Sequence, residues 1–218
     1  MVTYETVKQD AAIRTYITQA DTALAALGYT EHSFAHVTRC AEVAGKLLED
    51  LGHPGRTAEL ARIAGFLHDI GNLVNRSDHS QSGAIMAFQL LSGLGMAPEE
   101  IAPIVTAIGN HDEGTGVPVS PLAAALILAD KSDVRRSRVR CKAEDFDIHD
   151  RVNHSVTDSS LVLSSDCKIL TLKLTIDTAF ASVMEYFEIF LERMLLCRKA
   201  ADFLGLQFKL TINDVPQI

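Results

Sequence analysis

Eight histidines carry most of the chemistry legible in this chain. His36 opens an apolar-patterned segment, and the pair His68-Asp69 closes another, in Ala64-Gly-Phe-Leu-His-Asp-Ile-Gly71. His79 begins His-Ser-Gln-Ser-Gly-Ala84, His111 lies in Gly109-Asn-His-Asp-Glu113, and Asp130 ends a third apolar run in Leu128-Ala-Asp-Lys131. Imidazole and carboxylate donors together suit Fe, Mn, Zn or a related divalent ion. Two ionisable groups directly after Leu67 would be costly to bury without partners, so the His68-Asp69 pair argues for a shared site. The candidate metal ligands are therefore His36, His68, Asp69, His79, His111 and Asp130. His32 is a further candidate, because it would share a face with His36 if both were helical.

These residues need rigid elements to bring them together. Val37, Ala41, Ala44, Leu47, Leu48 and Leu51 recur at three- and four-residue steps, which predicts a helix with one apolar face. Leu60, Ile63, Ala64 and Leu67 predict another, with Thr57 as its N-cap and Glu59 in its first turn. Ile85, Phe88, Leu91 and Leu94 form a further stripe ended by Gly95. Pro98 stands where the first residue of a helix should, ahead of Ile101, Ile104, Val105 and Ile108. Leu122 to Ala129 is a last apolar helix. The candidate ligands fall at the ends of these segments, where several helices of a bundle can converge on one point.

Beyond Arg140 the pattern changes. Leu170, Leu172, Leu174 and Ile176 alternate with Thr171, Lys173 and Thr175, the period of a half-buried strand. Val156 to Leu163 is its expected hairpin partner, turning at Ser164-Ser165-Asp166. Phe180 to Leu195 predicts a long amphipathic helix and Gln207 to Ile212 a final strand. The expected fold is thus mainly α, a helical bundle over residues 1–150, followed by a small α+β annex of β-β-α-β order over 151–218.

Composition narrows the partners. The 20 Lys and Arg against 28 Asp and Glu give a net charge of −8, which argues against a broad nucleic-acid-binding face. No apolar stretch reaches the roughly 20 residues of a membrane span, and the first residues lack a secretory pattern. Cys40, Cys141, Cys167 and Cys197 are scattered without a C-x-x-C pair, as expected of reduced thiols in a cytoplasmic protein. An edge strand and an apolar helix in the annex suggest a homodimer formed through residues after about 151.

The order His36, His68-Asp69, His79, His111, Asp130 resembles the HD superfamily of metal-dependent phosphohydrolases over roughly residues 30 to 140. The resemblance implies a first metal held by His36, His68, Asp69 and Asp130, and a second held by His79 and His111, with Asp69 bridging. His111-Asp-Glu113 and Gly116-Val-Pro118 partly echo the HD-GYP group of cyclic-dinucleotide phosphodiesterases, but Asp112 stands for its second His and Val117 for its Tyr. Compact HD hydrolases of dinucleoside polyphosphates share the same ligand order. The activity implied by the resemblance is a two-metal hydrolase of a small phosphorylated metabolite or nucleotide. Asp69 would orient the nucleophile, and Asp112 or Glu113 would adjust the second metal. The alternative is a nucleotide-binding or signalling module that keeps the scaffold without turnover. Lys131 to Lys142 carries six basic residues and one acid. On a continuing helix Lys131 and Arg135 would share a face and meet the phosphate.

Overall fold

The hydroxyl of Ser33 accepts the N–H of Ala35 and starts α3, Phe34–Asp50, whose first turn carries His36. Capping of this kind sets most of the helix starts in the computed structural model, which describes residues 1–217. Asp10 caps α2 (Ala11–Ala26) after the short α1 (Tyr4–Gln9), and Ser120 caps α7 (Pro121–Lys131) with Pro121 just inside. Helix α4 spans Gly55–Leu67, α5 His79–Gly93 and α6 Pro98–Gly109, the last with Pro98 at its start as its sequence implies.

Two expectations for this half change. Helix α4 begins at Gly55 behind Pro54, so Thr57 lies inside the helix and caps nothing. Glu59 instead accepts the backbone N–H of Tyr4 at 3.1 Å and pairs with Arg56 at 2.5 Å, tying α1 down on α4. On α5 the buried face is Gly83, Ala84, Ala87 and Leu91, while Ile85 and Phe88 are 66% and 54% exposed. Of that stripe only Leu91 is buried, and small side chains at Gly83, Ala84 and Ala87 make up the rest of the packed face.

Helix α7 is the axis of the molecule. Every residue from Leu122 to Lys131 is buried, and the helix packs against α3, α4, α6 and α9. An apolar helix without a polar face is stable only when surrounded in this way. Its alanines, Ala123, Ala124, Ala125 and Ala129, let those neighbours approach.

Past α8 (Ile148–Ser155), β1 (Val156–Leu163) and β2 (Ile169–Ile176) form an antiparallel hairpin, with Leu163 opposite Leu170. Helix α9 (Val183–Phe203) then crosses over to β3 (Gln207–Ile212), which lies parallel to β2, and the two-residue β4 (Val215–Pro216) completes the sheet. Ser182 and Glu185 form a reciprocal capping box at the start of α9. Leu170, Leu172 and Leu174 of β2 sit beside Phe208, Leu210 and Ile212 of β3 on the buried face. Helix α9 packs against α7 as well as β3, so a single cluster of buried residues runs from Val2 to Ile212 through both halves. Met184 and Leu191 remain exposed on its outer face, 70% and 50%. Among the described residues no helix is long and apolar enough to cross a membrane.

A candidate metal centre at the helix ends

Helix α4 stops at Leu67, and the chain turns through His68 and Asp69 into a 3-10 turn, Ile70–Leu73. That break puts both side chains on the inner side of the bundle, opposite the first turn of α3 and the last turn of α7. His36, His68 and His111 are 0 to 1% exposed, His79 2%, Asp69 5% and Asp130 8%. His36 Nε2 lies 3.4 Å from Asp69 Oδ2 and 3.4 Å from Asp130 Oδ1. His68 Nε2 lies 3.1 Å from Asp69 Oδ2 and 3.7 Å from Asp130 Oδ1. His79 Nε2 is 3.5 Å from the other Asp69 oxygen and 3.2 Å from His111 Nε2. All six principal candidates thus converge, and Asp69 faces both groups of histidines.

The outward nitrogens have fixed partners. Nδ1 of His68 donates to Gly65 O at 2.8 Å, that of His111 to Ile108 O at 2.6 Å, and that of His79 to Arg76 O at 3.1 Å. His36 Nδ1 donates to Asp133 Oδ2 at 2.8 Å. With the proton held at Nδ1, each Nε2 presents a lone pair inward, the arrangement a metal site requires of its histidines. His68 Nε2 is a buried polar atom with no hydrogen-bond partner among the described residues. The Nε2 atoms of His79 and His111, 3.2 Å apart, would repel as two lone pairs unless they share a cation. Two carboxylates and four imidazoles with these needs fit divalent metals, and groups of them lie close enough to hold an ion, His68, Asp69 and His111 being one. Cys40 falls within reach of the second such group, with His36, His68 and Asp130. Its sulfur is 3.7 Å from both ring nitrogens of His36, so it presses on the ring rather than pointing along either lone pair.

The electrostatics of the metal-free cluster follow from its carboxylates. Burial disfavours a charged His68, but Asp69 and Asp130 outweigh it and lift the imidazole to about 10. Burial, with His68 and Lys131 nearby, pushes His111 down to about 3. Burial also opposes ionisation of Asp69 and Asp130, yet the neighbouring His68 and Lys131 respectively lead the groups that hold them well below the ordinary carboxylate value. These shifts set the stability of metal-free protein. From pH 3 to 6.5 the unfolded chain protonates His111 and the native one does not, so stability rises with pH. From 6.5 to 10 the native chain keeps the His68 proton that the unfolded chain has lost, so stability falls. Denaturant unfolding across this range is expected to peak near pH 6.5, and saturating divalent metal to remove the alkaline decline, because it takes the place of the proton. A metal-free profile that climbs steadily to about pH 9 would contradict the arrangement.

The remaining candidates separate. His32 precedes α3 instead of lying on it, yet its ring centroid is 5.5 Å from that of His36, and its Nδ1 is tied to Thr30 O at 2.7 Å. Asp112 is at the edge of the cluster, 4.0 Å from His79 Nε2. Lys131 is buried, its ammonium 2.7 Å from Asp130 Oδ2 and 3.0 Å from Glu113 Oε2. It therefore steadies Asp130 and leaves the Oδ1 oxygen for the histidines. Helix α7 ends at Lys131, so Arg135 shares no face with it. Arg135 pairs with Asp133 at 2.5 Å and does not line the cleft.

A cleft of about 890 Å³ opens on the cluster, lined by Asp69, His79 and Asp130, with His32, Tyr29 and Arg76 on one side and α9 on the other. Several residues that hold the cluster in place were not singled out by sequence. Asp133 orients His36, Asn72 donates to Asp69 Oδ1 at 3.0 Å, and Arg193 of α9 reaches Glu113 Oε1 at 2.8 Å. Asp133 was visible as the lone acid in the basic stretch, but nothing local marked Asn72 or Arg193. His149 also lines the cleft wall.

Residues 33–135 match the family model of the HD domain. An uncharacterized protein of Methanocaldococcus jannaschii is 25% identical over 172 residues, covering 67% of this chain. The match spans 65% of that relative's length. A crystal structure of a predicted HD superfamily hydrolase from an uncultured Thermotogales bacterium is 24% identical, covering 57% of this chain and 67% of the other, with a TM-score of 0.45.

Proposed function

We propose that this chain, whose residues 33–135 match the HD domain, hydrolyses a phosphate ester or anhydride of a small metabolite or nucleotide. The coarser reading, a metal-dependent hydrolase, rests on the HD domain and its His/Asp cluster. The observation that carries the proposal is the unpartnered, buried Nε2 of His68, set among two ionised carboxylates beside a cleft open to solvent. His36, His68, Asp69 and Asp130 would hold one divalent ion, and His79, His111 and the second Asp69 oxygen another. Such a pair supplies Lewis acidity, making water more acidic and polarising phosphoryl oxygens.

The chain's own residues do the rest. Asp69 is held ionised against its burial by His68 first, then His32 and His36, and its Oδ1 is oriented by Asn72, so its charge can orient an attacking water. Asp133, Gly65, Ile108 and Arg76 fix the four imidazoles. Lys131 offsets the charge of Asp130, and Glu113 is engaged by Lys131 and Arg193, which leaves it in a positioning role and not beside the second metal.

The test joins elemental analysis of purified protein to a screen of phosphomonoesters, nucleotides, dinucleoside polyphosphates and cyclic dinucleotides. About two transition metals per chain and metal-dependent phosphate or nucleotide release are expected. Full metal occupancy with ligand-induced stabilisation and no turnover would favour the non-catalytic module.

A further inference from the structure

Of the four Lys and Arg side chains that line the cleft, two are fully committed. Lys131 is held by Asp130 and Glu113, and Arg138 donates to the carbonyls of Glu31 and Asp133. Arg76 gives one bond, at 3.3 Å, to Asn72, and its guanidinium lies 5.6 Å over the ring of Tyr29. Arg193 is different. It projects from α9, in the half of the chain that lies outside the matched HD domain, and lines the cleft together with Asp130, Lys131 and Glu113.

Two contacts hold its guanidinium. Nε donates to Glu113 Oε1 at 2.8 Å, and the group lies 4.5 Å over the ring of Phe190, one turn earlier on the same helix. The two Nη groups make no hydrogen bond with any described residue. The side chain is enclosed by protein, with its remaining 21% exposure toward the cleft it lines. Charge is settled on the Glu113 side, where one carboxylate serves two cations, Lys131 and Arg193. Asp147, Asp150, Glu188 and Glu192 make the outer cleft acidic. An anion entering past that rim needs a specific cation inside, and a guanidinium with a free edge is suited to a phosphate.

We propose that Arg193 is an anion-binding residue of this cleft, its free Nη edge receiving a phosphate oxygen of the substrate, so that the annex helix completes the site of the HD domain. The inference rests on the phosphohydrolase reading above. It assigns the C-terminal half a direct part in recognition. Glu113 is then a positioning residue that keeps the guanidinium turned inward.

Calorimetric titration of inorganic phosphate into the metal-loaded full chain tests it. Arg193→Gln is expected to weaken phosphate binding about tenfold and to flatten its salt dependence, with metal content and melting temperature preserved. With any substrate found in the screen it should raise KM more than it lowers kcat. Arg193→Lys should recover part of the affinity, since it restores charge without the planar fork. A folded, metal-loaded Arg193→Gln that binds phosphate within twofold of wild type, at unchanged KM, overturns the assignment. If Arg193→Gln fails to fold, Arg193→Lys decides: weaker phosphate binding at unchanged melting temperature supports it, unchanged affinity overturns it. A wild type that binds phosphate through Arg193 but cleaves nothing would remove the hydrolase reading and leave Arg193 in place. Hydrolysis with phosphate binding indifferent to Arg193 would do the reverse.

Discussion

Asp69→Ala is expected to lose metal loading and, with it, the proposed hydrolysis, turnover falling by about a thousandfold or more. Among the described residues Asp69 is the one carboxylate whose two oxygens face different histidine groups, Oδ2 toward His36 and His68 and Oδ1 toward His79. Removing it leaves His68 Nε2, already unpartnered, without its nearest negative charge. Asp69→Asn separates charge from shape, since it keeps the volume beside Asn72 and loses the ionised group. Both variants are expected to fold. Elemental analysis should find less than half the wild-type metal in either, and phosphate release should be near background. Full metal content and activity in Asp69→Ala would show that the cluster does not work as described.

Gly71→Ala will destabilise the protein by about 3 kcal/mol and lower its melting temperature by roughly 6–12 °C. A Cβ at Gly71 would lie 2.0 Å from His79 O and 2.4 Å from Gly83 N, both backbone atoms of α5. Neither can rotate away, so the 3-10 turn and α5 must separate, and α5 carries His79. The fold and the second half of the cluster therefore fail together. Gly93→Ala is the matched control, because a Cβ there meets nothing within 4 Å. It should be neutral or stabilising by a few tenths of a kcal/mol. Denaturant unfolding of metal-free protein measures both. A Gly71→Ala variant as stable as wild type would mean that α5 is not packed this tightly.

The contrast between these two glycines illustrates what sequence could and could not convey. The helices around His36, His68 and Asp130 were legible because apolar residues at three- and four-residue steps must face a core, whatever lies there. The ligands were legible because ionisable pairs at the ends of apolar runs are costly to bury without partners. The strand pair was visible through its two-residue alternation. What failed depended on distance along the chain. Ile85 and Phe88 looked like core until the small face of α5 proved to be the packed one. Arg135 looked like a phosphate ligand on the assumption that α7 continued, whereas the helix ends at Lys131 and Asp133 captures the arginine. Asp133 meets His36 across 97 residues and Arg193 meets Glu113 across 80. No local pattern encodes such a meeting.

Three of the four inward-facing histidines donate their second nitrogen to the carbonyl three residues earlier, at Gly65, Arg76 and Ile108. Each such bond restricts the ring torsions to those of the helix end or turn that bears it. The freedom of these side chains is thus surrendered when the chain folds, not when an ion arrives. An incoming cation finds its donors already gathered and loses little to their ordering. The same economy has a converse. Since each of these three rings also satisfies a backbone carbonyl, none of them can be exchanged without fraying the segment beneath it.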